Sequence, residues 1–178
     1  MLKTLAYIAA VIVVVVAGIL IYAATRPDSF RVQRTATIKA PPEKIFALIN
    51  DLRSWSLWSP YEKKDPAMKR TFSGAPSGKG AIYEWDGDKN VGKGRMEITE
   101  ATSPGKILIK LDFIKPFEDH NIAEFTMVPG SDGTVVTWAM YGSASLMMKT
   151  MGLLMNMDNM IGNDFAAGLA SLKAAAEK

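Results

Sequence analysis

Cysteine is absent from this chain of 178 residues, and histidine occurs once, as His120. Without cysteine the chain cannot form a disulfide framework, a zinc–thiolate site, an iron–sulfur cluster or a catalytic thiol. A single histidine excludes a multi-histidine metal site and leaves at most one imidazole base. We therefore predict that the protein holds no metal ion and needs no bound cofactor.

An excess of charge of one sign is also missing. The sequence has 21 Lys+Arg and 18 Asp+Glu residues, which gives a formal net charge of +3. A nucleic-acid-binding protein usually concentrates basic residues in a patch or run, and this charge balance is too mild for one. We predict that nucleic acid is not a partner.

The chain does have one long apolar run near its amino terminus. Residues Leu5 to Ala24 include no charge and no proline, and a helix of that length spans about 30 Å, the thickness of the hydrocarbon core of a membrane. Lys3 and Arg26 flank the run. A cleaved signal peptide is the alternative, but Tyr22 would occupy the position three residues before the cut, where a small residue is required. The pattern favours a retained anchor.

We accordingly expect a transmembrane anchor at residues 1–25 and one globular domain at residues 26–178. We expect a single-pass membrane protein of a bacterial inner membrane. The positive-inside rule, read from Arg26, Arg31 and Arg34, would keep the domain in the cytoplasm. A short amino-terminal flank with one lysine is also typical of a signal anchor, which would export the domain, so the side stays open.

Segments with the two-residue period of β-strands fill most of the domain. The first is Arg31–Lys39. A helix that starts at Pro41-Pro42-Glu43 follows it, and then a short region that contains Trp55 and Trp58. Glycine-containing links of hairpin type then separate strand after strand, which predicts an antiparallel meander. The later predicted strands lie near residues 69–73, 81–85, 92–102, 106–115, 122–128 and 134–141.

From Ser145 the apolar period becomes that of a helix and continues almost to the end of the chain. The spacing predicts one amphipathic helix of nearly thirty residues, since proline is absent from Leu146 onward. An antiparallel sheet with one apolar face needs a cover, and one such helix can supply it. The predicted fold is therefore α+β, with a curved antiparallel sheet of about seven strands around a long carboxy-terminal helix.

Three stretches carry a resemblance to a known superfamily: APPEKIFALINDLRSWSLWSPYEKKDP, GTVVTWAMYG and MIGNDFAAGLASLKAAAE. With the order of elements, they resemble the SRPBCC (START-like) superfamily, and more narrowly its membrane-anchored polyketide cyclase/dehydrase and lipid-transport members. The resemblance covers roughly Arg31 to Glu177. It implies a helix-grip fold with a cavity for hydrophobic ligands between the sheet and the last helix. Members include lipid carriers, cyclases, hydrolases and co-chaperone-like modules, so no single activity is implied.

Methionines and aromatic residues are the candidate ligand-binding side chains. Methionine is flexible and polarizable and therefore suits adaptable apolar surfaces, while aromatic rings supply flat walls. Six of the eleven methionines lie between residues 147 and 160, although a methionine stripe also fits ordinary core packing. The candidates are Trp55, Trp58, Tyr83, Trp85, Phe113, Phe125, Trp138, Met147, Met151 and Met155.

The sequence assigns no catalytic residue. Strand alternation puts Glu84 and Asp86 opposite Tyr83 and Trp85, so these acids are solvated if the aromatic face points inward. A nucleophile elbow, a phosphate-binding glycine loop and a dinucleotide fingerprint are all absent. His120 is most simply explained as a surface loop residue. A cyclase would have to draw its polar groups from Arg95, Glu97, Tyr83 and His120.

Three hypotheses about function follow. The first is membrane-tethered binding of a lipid, isoprenoid or other hydrophobic molecule in the cavity. The second is an enzyme of the polyketide cyclase/dehydrase type that uses the same cavity, and the third is a structural or partner-binding module with a filled core. Apolar walls throughout would favour binding, two or more inward ionisable groups would favour catalysis, and the absence of a void would favour the third.

Overall fold

The structure, a computed structural model, describes residues 2–154 and 156–178. Its elements in chain order are α1 (Leu2–Ala24), β1 (Ser29–Ile38), α2 (Pro42–Asn50), a 3₁₀ helix (Leu52–Leu57), α3 (Pro60–Lys64), β2 (Lys69–Gly74), β3 (Ala81–Asp86), β4 (Lys93–Thr102), β5 (Lys106–Lys115), β6 (Asp119–Gly130), β7 (Gly133–Ser143), α4 (Leu146–Leu154) and α5 (Met157–Ala176).

The chain forms two compact units, which are described separately. The sheet unit comprises residues 31–142 and 158–178, and the helical unit comprises the chain up to Phe30 together with Ser143–Met157. The expected boundary between an anchor at residues 1–25 and a domain at 26–178 stays a prediction.

The seven strands of the sheet follow the order β1-β7-β6-β5-β4-β3-β2. Strands β2 to β7 form an antiparallel meander, and β1 lies beside β7, where the hydroxyls of Thr35 and Thr137 are 3.0 Å apart. The predicted fold, a seven-stranded antiparallel sheet with a carboxy-terminal helix, is confirmed.

A bulge contributes to the curvature of the sheet. The register of β4 against β5 shifts between Ile98 and Glu100, so Thr99 is the extra residue on β4. Bulges bend a strand and increase its twist. The sheet therefore has a concave face, on which α5 packs, and a convex face.

Strand alternation distributes the side chains between these faces as the sequence predicts. On β3, Ala81 and Tyr83 are buried on the concave face, whereas Glu84 and Asp86 are exposed on the convex face. The carboxylate of Asp86 pairs with Lys93 Nζ at 2.7 Å. Both acids are thus solvated, because the aromatic face points inward.

Two tryptophans anchor the 3₁₀ helix beneath α2. The last carbonyls of a helix have no partner within it. Here Trp58 Nε1 donates to the carbonyl of Leu48 (3.1 Å) and Trp55 Nε1 donates to that of Ile49 (2.9 Å). The two indoles therefore supply hydrogen-bond donors to carbonyls in the last turn of α2, and their rings lie in the core.

The core beneath α5 is an aromatic cluster, which consists of Trp55, Trp58, Phe125, Trp138 and Phe165. The rings of Trp138 and Phe165 stack at a centroid distance of 4.1 Å, and those of Trp138 and Phe125 at 5.0 Å. The two tryptophans below α2 pack edge-on against Trp138 at 5.7 and 6.3 Å. All five side chains are buried, so this part of the interior is filled by the protein itself.

The carboxy-terminal helical segment is divided, where the sequence predicts one continuous helix. Helix α4 ends at Leu154 and α5 begins at Met157. Asn156 lies between them, and asparagine favours helix ends because its side chain competes for backbone hydrogen bonds. Asp158 in the first turn of α5 suits the positive end of the helix dipole.

In the helical unit, α4 packs against α1. The backbone amide of Ala144 donates to the carbonyl of Asp28 (2.8 Å), and Lys149 Nζ forms an ion pair with the Asp28 carboxylate. By length and composition α1 can cross a membrane. Its apolar side chains are exposed, Val14 by 70%, so α1 is not a core helix of the described structure.

Replacement of Gly168 by alanine tests the packing of α5 on the aromatic cluster. A Cβ at this position would lie 2.6 Å from Trp138 Cζ3 and 3.0 Å from Pro60 Cδ, and neither ring can move easily. We expect overpacking to outweigh the gain in helix propensity of about 1 kcal/mol, so that the melting temperature of the full chain in mild detergent falls by about 2–4 °C.

The control is Gly105→Ala, because a Cβ there would come no closer than 3.8 Å to its nearest neighbour, the carbonyl oxygen of Met127. Its melting temperature should match that of the parent protein. A Gly168→Ala protein that melts as the control does would contradict close packing at this point.

Candidate functional site

The ten side chains predicted to bind ligand fall into three groups. Trp55, Trp58, Phe125 and Trp138 belong to the aromatic cluster. Tyr83, Trp85 and Phe113 lie together on the concave face of β3 and β5. Met147 and Met151 lie on α4 in the helical unit, and Met155 lies outside the described residues. That all ten line one cavity stays a prediction.

An aromatic wall covers the concave face of β2, β3 and β5, and it consists of Phe72, Tyr83, Trp85 and Phe113. Phe72 and Tyr83 stack at 4.9 Å, and Trp85 meets Phe113 edge-on at 6.0 Å. Tyr83 is buried, but the other three rings are only half-buried. The wall therefore presents flat apolar surface that the described side chains do not cover completely.

Gly94 allows the indole of Trp85 to lie across the neighbouring strand. The two residues are cross-strand partners, and a Cβ on Gly94 would lie 2.3 Å from Trp85 Cζ2. Trp85 Nε1 donates to the carbonyl of Val91 at 3.0 Å, which fixes the ring. A glycine in a strand here marks a close approach of a side chain to the backbone.

A polar triad, Glu62, Arg70 and Tyr83, borders the aromatic wall. The hydroxyl of Tyr83 donates to Glu62 Oε1 at 2.6 Å, and Arg70 Nε donates to Glu62 Oε2 at 2.7 Å. The side chain of Glu62 is only 9% exposed. Burial, and then the hydrogen bond with Glu62, raise the pKa of Tyr83 well above its ordinary range. The phenol is therefore a neutral hydrogen-bonding group at the edge of an apolar surface.

Asn121 lies at the far end of the same row of concave residues. The row runs across the strands from Tyr83 to Met96, Leu111 and Asn121. Asn121 Nδ2 donates to Asp119 Oδ2 at 2.8 Å, whereas its buried Oδ1 has no hydrogen-bond partner among the described residues. An unsatisfied buried acceptor costs about 1–3 kcal/mol, so a donor supplied from outside the chain would be stabilising here.

Trp138 Nε1 is a second buried polar atom for which the described part of the chain provides no partner. It belongs to the aromatic cluster and lies on β7, the second strand in the order of the sheet. The concave face thus combines apolar rings with one unused acceptor and one unused donor, in addition to the polar triad.

The remaining cyclase candidates lie on the convex face, away from Tyr83. Arg95 Nη2 pairs with Glu97 Oε2 at 2.8 Å. His120 lies in strand β6 rather than in a loop, is 73% exposed, and contacts Asp112 Oδ1 through Nδ1 at 2.6 Å. Burial acts to raise the pKa of Asp112, but hydrogen bonds from His120 and Lys110 outweigh it and the pKa is lowered. Arg95 and Glu97 form a surface ion pair and His120 is hydrogen-bonded to Asp112, and these groups do not join a site with Tyr83.

Sequence reasoning missed Glu62, Arg70 and Asn121. A signal for Asn121 was present, because alternation along β6 places it on the same face as Phe125 and Met127. The pairing of Glu62 with Tyr83 joins residues 21 positions apart in different elements. No local pattern indicates such a contact.

A separate groove of about 480 Å³ lies on the surface, next to α2. It includes none of the ten predicted side chains. Its lining residues are Lys44, Ala47, Leu48, Asn50, Asp51, Ser54, Ser77 and Ala175. Within residues 2–154 and 156–178, no group of three or more His, Asp or Glu side chains is arranged to hold a metal ion.

Comparison with known families identifies a matching family. The model of a family described as polyketide cyclase / dehydrase and lipid transport matches residues 29–177. A search of curated proteins returned no match.

Solved structures with the same fold include single-domain and di-domain proteins. A protein from Chromobacterium violaceum aligns with a TM-score of 0.59 and 16% identity over 85% of this chain and 99% of its own. The di-domain ARO/CYC BexL from the BE-7585A biosynthetic pathway aligns with a TM-score of 0.62 and 13% identity over 89% of this chain, which spans 53% of BexL. The Aha1 dimer from Colwellia psychrerythraea gives 0.56 and 16% over 83% and 96%. At these identities the likeness establishes the fold alone.

The polar triad predicts how stability depends on alkaline pH. The folded pKa of Tyr83 lies above its unfolded value, so its stabilising contribution is complete below pH of about 10 and is lost as the pH rises through the folded pKa. We expect the free energy of unfolding of the full chain in detergent to decrease above pH 10. Urea titrations between pH 8 and 12 measure this decrease.

In Tyr83→Phe the decrease should be shallower, because the ionising group is gone. Part of it should remain, since burial also raises the pKa of Tyr61. Glu62→Gln, which preserves size but removes the carboxylate, should likewise reduce the dependence on pH. If both variants lose stability with pH as steeply as the parent, the buried pairing of Tyr83 with Glu62 is wrong.

Proposed function

The chain belongs to the polyketide cyclase/dehydrase and lipid transport family, and on that premise we propose that it binds an apolar or amphipathic small molecule on the concave face of its sheet. The observation that carries the proposal is the aromatic wall, in which Phe72, Trp85 and Phe113 are only half-buried. Ligand sites in proteins are concave and mostly apolar with a few polar groups, and this face has that composition.

The aromatic cluster determines where the ligand binds. Beneath α5 the rings of Trp138 and Phe165 are in contact, so this space is already occupied. Side-chain contacts of α5 join it to β1, β7 and α3. The ligand would therefore lie over β3, β4 and β5. Its main contact would be the aromatic wall, and the aromatic cluster would border it on one side.

The polar atoms around this surface suggest what the ligand carries. The Oδ1 of Asn121 can accept a hydrogen bond, whereas the phenol of Tyr83, at the other end of the row, is already hydrogen-bonded to Glu62 and Arg70. A hydrocarbon skeleton that carries a hydroxyl group would satisfy the Asn121 acceptor. Free fatty alcohols, sterol-like molecules and isoprenoid alcohols share this chemistry.

We propose in addition that α1 tethers the domain to a membrane. The helix is long and apolar enough to span the hydrocarbon core, and its exposed apolar side chains need a cover that lipid provides. Tethering would keep the domain at a high local concentration near a membrane-derived ligand without any further contact.

Phe113→Ala tests the aromatic wall. Loss of the exposed ring surface should weaken binding of a pyrene-labelled fatty alcohol about tenfold, since it removes roughly 1.4 kcal/mol of apolar burial. The measurement is a fluorescence titration in which the probe is added to the full chain in detergent. The probe concentration is kept below the level that saturates the detergent micelles.

Ile114→Ala is the matched control, because it shortens the adjacent side chain on β5, which is 44% exposed and is not part of the aromatic wall. This variant should bind as the parent does. Equal affinity of both variants would place the ligand elsewhere, and no binding by the parent chain would favour a partner-binding module with a filled core.

An enzyme of the cyclase type is the second candidate, and the polar triad favours it. A carboxylate that is 9% exposed beside an apolar surface can act as a general base. In this mechanism Glu62 removes a proton from a carbon between two carbonyls, and the enolate adds to a third carbonyl of the same chain. This C–C bond closes the ring, and Glu62 returns the proton to the new alkoxide; the hydroxyl then leaves with an α-hydrogen as water, which forms a C=C bond. Tyr83 and Arg70 hold the carboxylate in place.

A poly-β-ketone substrate analogue tests this mechanism. The parent protein should convert it into a product lighter by one water molecule, detected by mass spectrometry, and Glu62→Gln should abolish conversion while binding persists. Phe113→Ala should instead raise KM with little change in kcat. Conversion by Glu62→Gln at the parental rate would show that Glu62 is not the base. If the parent protein converts none of the analogue, only the binding function remains.

A further inference from the structure

We propose that α4 is a membrane-embedded segment, packed beside α1 with its exposed methionine and leucine side chains in contact with lipid acyl chains. The proposal rests on the proposed function only in that α1 must be in a membrane. It gives the methionine-rich segment a lipid bilayer as its partner, whereas the sequence predicts that these methionines line a ligand cavity.

The connections within the helical unit carry the first part of the argument. The backbone hydrogen bond from Ala144 to Asp28 joins the segment just before α4 to the segment just after α1. From this junction α4 packs against α1 itself. A helix that starts at the end of a membrane span and lies against that span is at membrane depth.

The composition of the segment suits this position. Between Ser143 and Met157 the sequence has a single charged residue, Lys149, and no acid. Leu146 and Met147 are 48% and 45% exposed, so their side chains face outward from the described structure. Such apolar surface, continuous with the apolar surface of α1, fits acyl chains better than water.

Lys149 provides the strongest observation. A lysine within the hydrocarbon region is energetically unfavourable unless its ammonium reaches the interface or a partner. Side chains of a helix point toward its amino terminus, which here is the end joined to Asp28. The Lys149 side chain is only 7% exposed, and its ammonium pairs with the Asp28 carboxylate. The aliphatic stem is thus buried while the charge is returned to the membrane boundary.

Single-cysteine labelling tests the proposal directly, because the chain has no cysteine of its own. Three full-length variants, Val14→Cys, Met147→Cys and Asp132→Cys, are labelled with an environment-sensitive nitrobenzoxadiazole probe and reconstituted in phosphatidylcholine–phosphatidylglycerol vesicles. Val14 reports the span of α1, Met147 reports α4, and Asp132 in the β6–β7 turn reports an aqueous site. Blue-shifted emission, quenching by doxyl-labelled lipid and loss of quenching by iodide identify contact with acyl chains.

We expect the probes on Val14 and Met147 to show all three signatures and the probe on Asp132 to show none. An aqueous Met147 probe with a lipid-exposed Val14 probe overturns the proposal for α4 alone. Blue-shifted emission at Met147 without doxyl quenching also overturns it, because the side chain would then be buried in protein, as a ligand cavity requires. An aqueous Val14 probe, or loss of that residue by cleavage, overturns the anchoring on which the proposal rests.

A charge-insertion variant supplies an independent measurement. Met147→Glu should expel α4 from the bilayer, so a probe at Leu146→Cys in that background should become accessible to iodide while the probe at Val14 remains in lipid. The conservative control Met147→Leu should leave the Leu146 probe in contact with lipid. Identical lipid contact at Leu146 in the two backgrounds overturns the proposal.

Discussion

A curved sheet and a single straight helix cannot be in contact everywhere, and the aromatic cluster determines where they meet. Trp138 is stacked between Phe165 of α5 and Phe125 of β6, and the two tryptophans beneath α2 close the remaining side. Large rigid rings fill this volume with few rotamers, which fixes the height of α5 above β7. Because the contact is made there, the concave surface of β3 to β5 is left with partly uncovered rings.

The shape of the aromatic wall depends on the backbone as well as on its rings. Gly94 makes room for the Trp85 indole, so the wall is flat where an ordinary side chain on β4 would have divided it. The polar triad at one edge is fixed by the strand register, since Arg70 is the cross-strand partner of Trp85. The aromatic wall and its polar border are thus both consequences of the pairing of β2, β3 and β4.

The two-residue period predicted the strands and their faces well, because burial on one face of a sheet imposes that period directly. The structure places β5 at Lys106–Lys115, the bounds that the sequence predicts. The helical period was less informative: a stripe such as Met147 and Met151 has the same spacing whether it faces a sheet, a ligand, another helix or lipid, so the division near Asn156 was not foreseen. The contact between Glu62 and Tyr83 depends on tertiary structure and leaves no period at all.

The polar triad also bears on the choice between binding and catalysis. Both oxygens of Glu62 already accept strong hydrogen bonds, one from Tyr83 and one from Arg70. A substrate proton can reach this carboxylate only if it shares or displaces one of them, and a hydrogen bond to a charged group contributes about 1.5–3 kcal/mol. A bound ligand that contacts only the rings of the aromatic wall breaks neither bond. Because binding leaves the hydrogen bonds of Glu62 intact, the geometry of the triad favours a binding protein in which the triad is a fixed border of the site. Catalysis would require interactions with the ligand that compensate for the hydrogen bond that Glu62 loses.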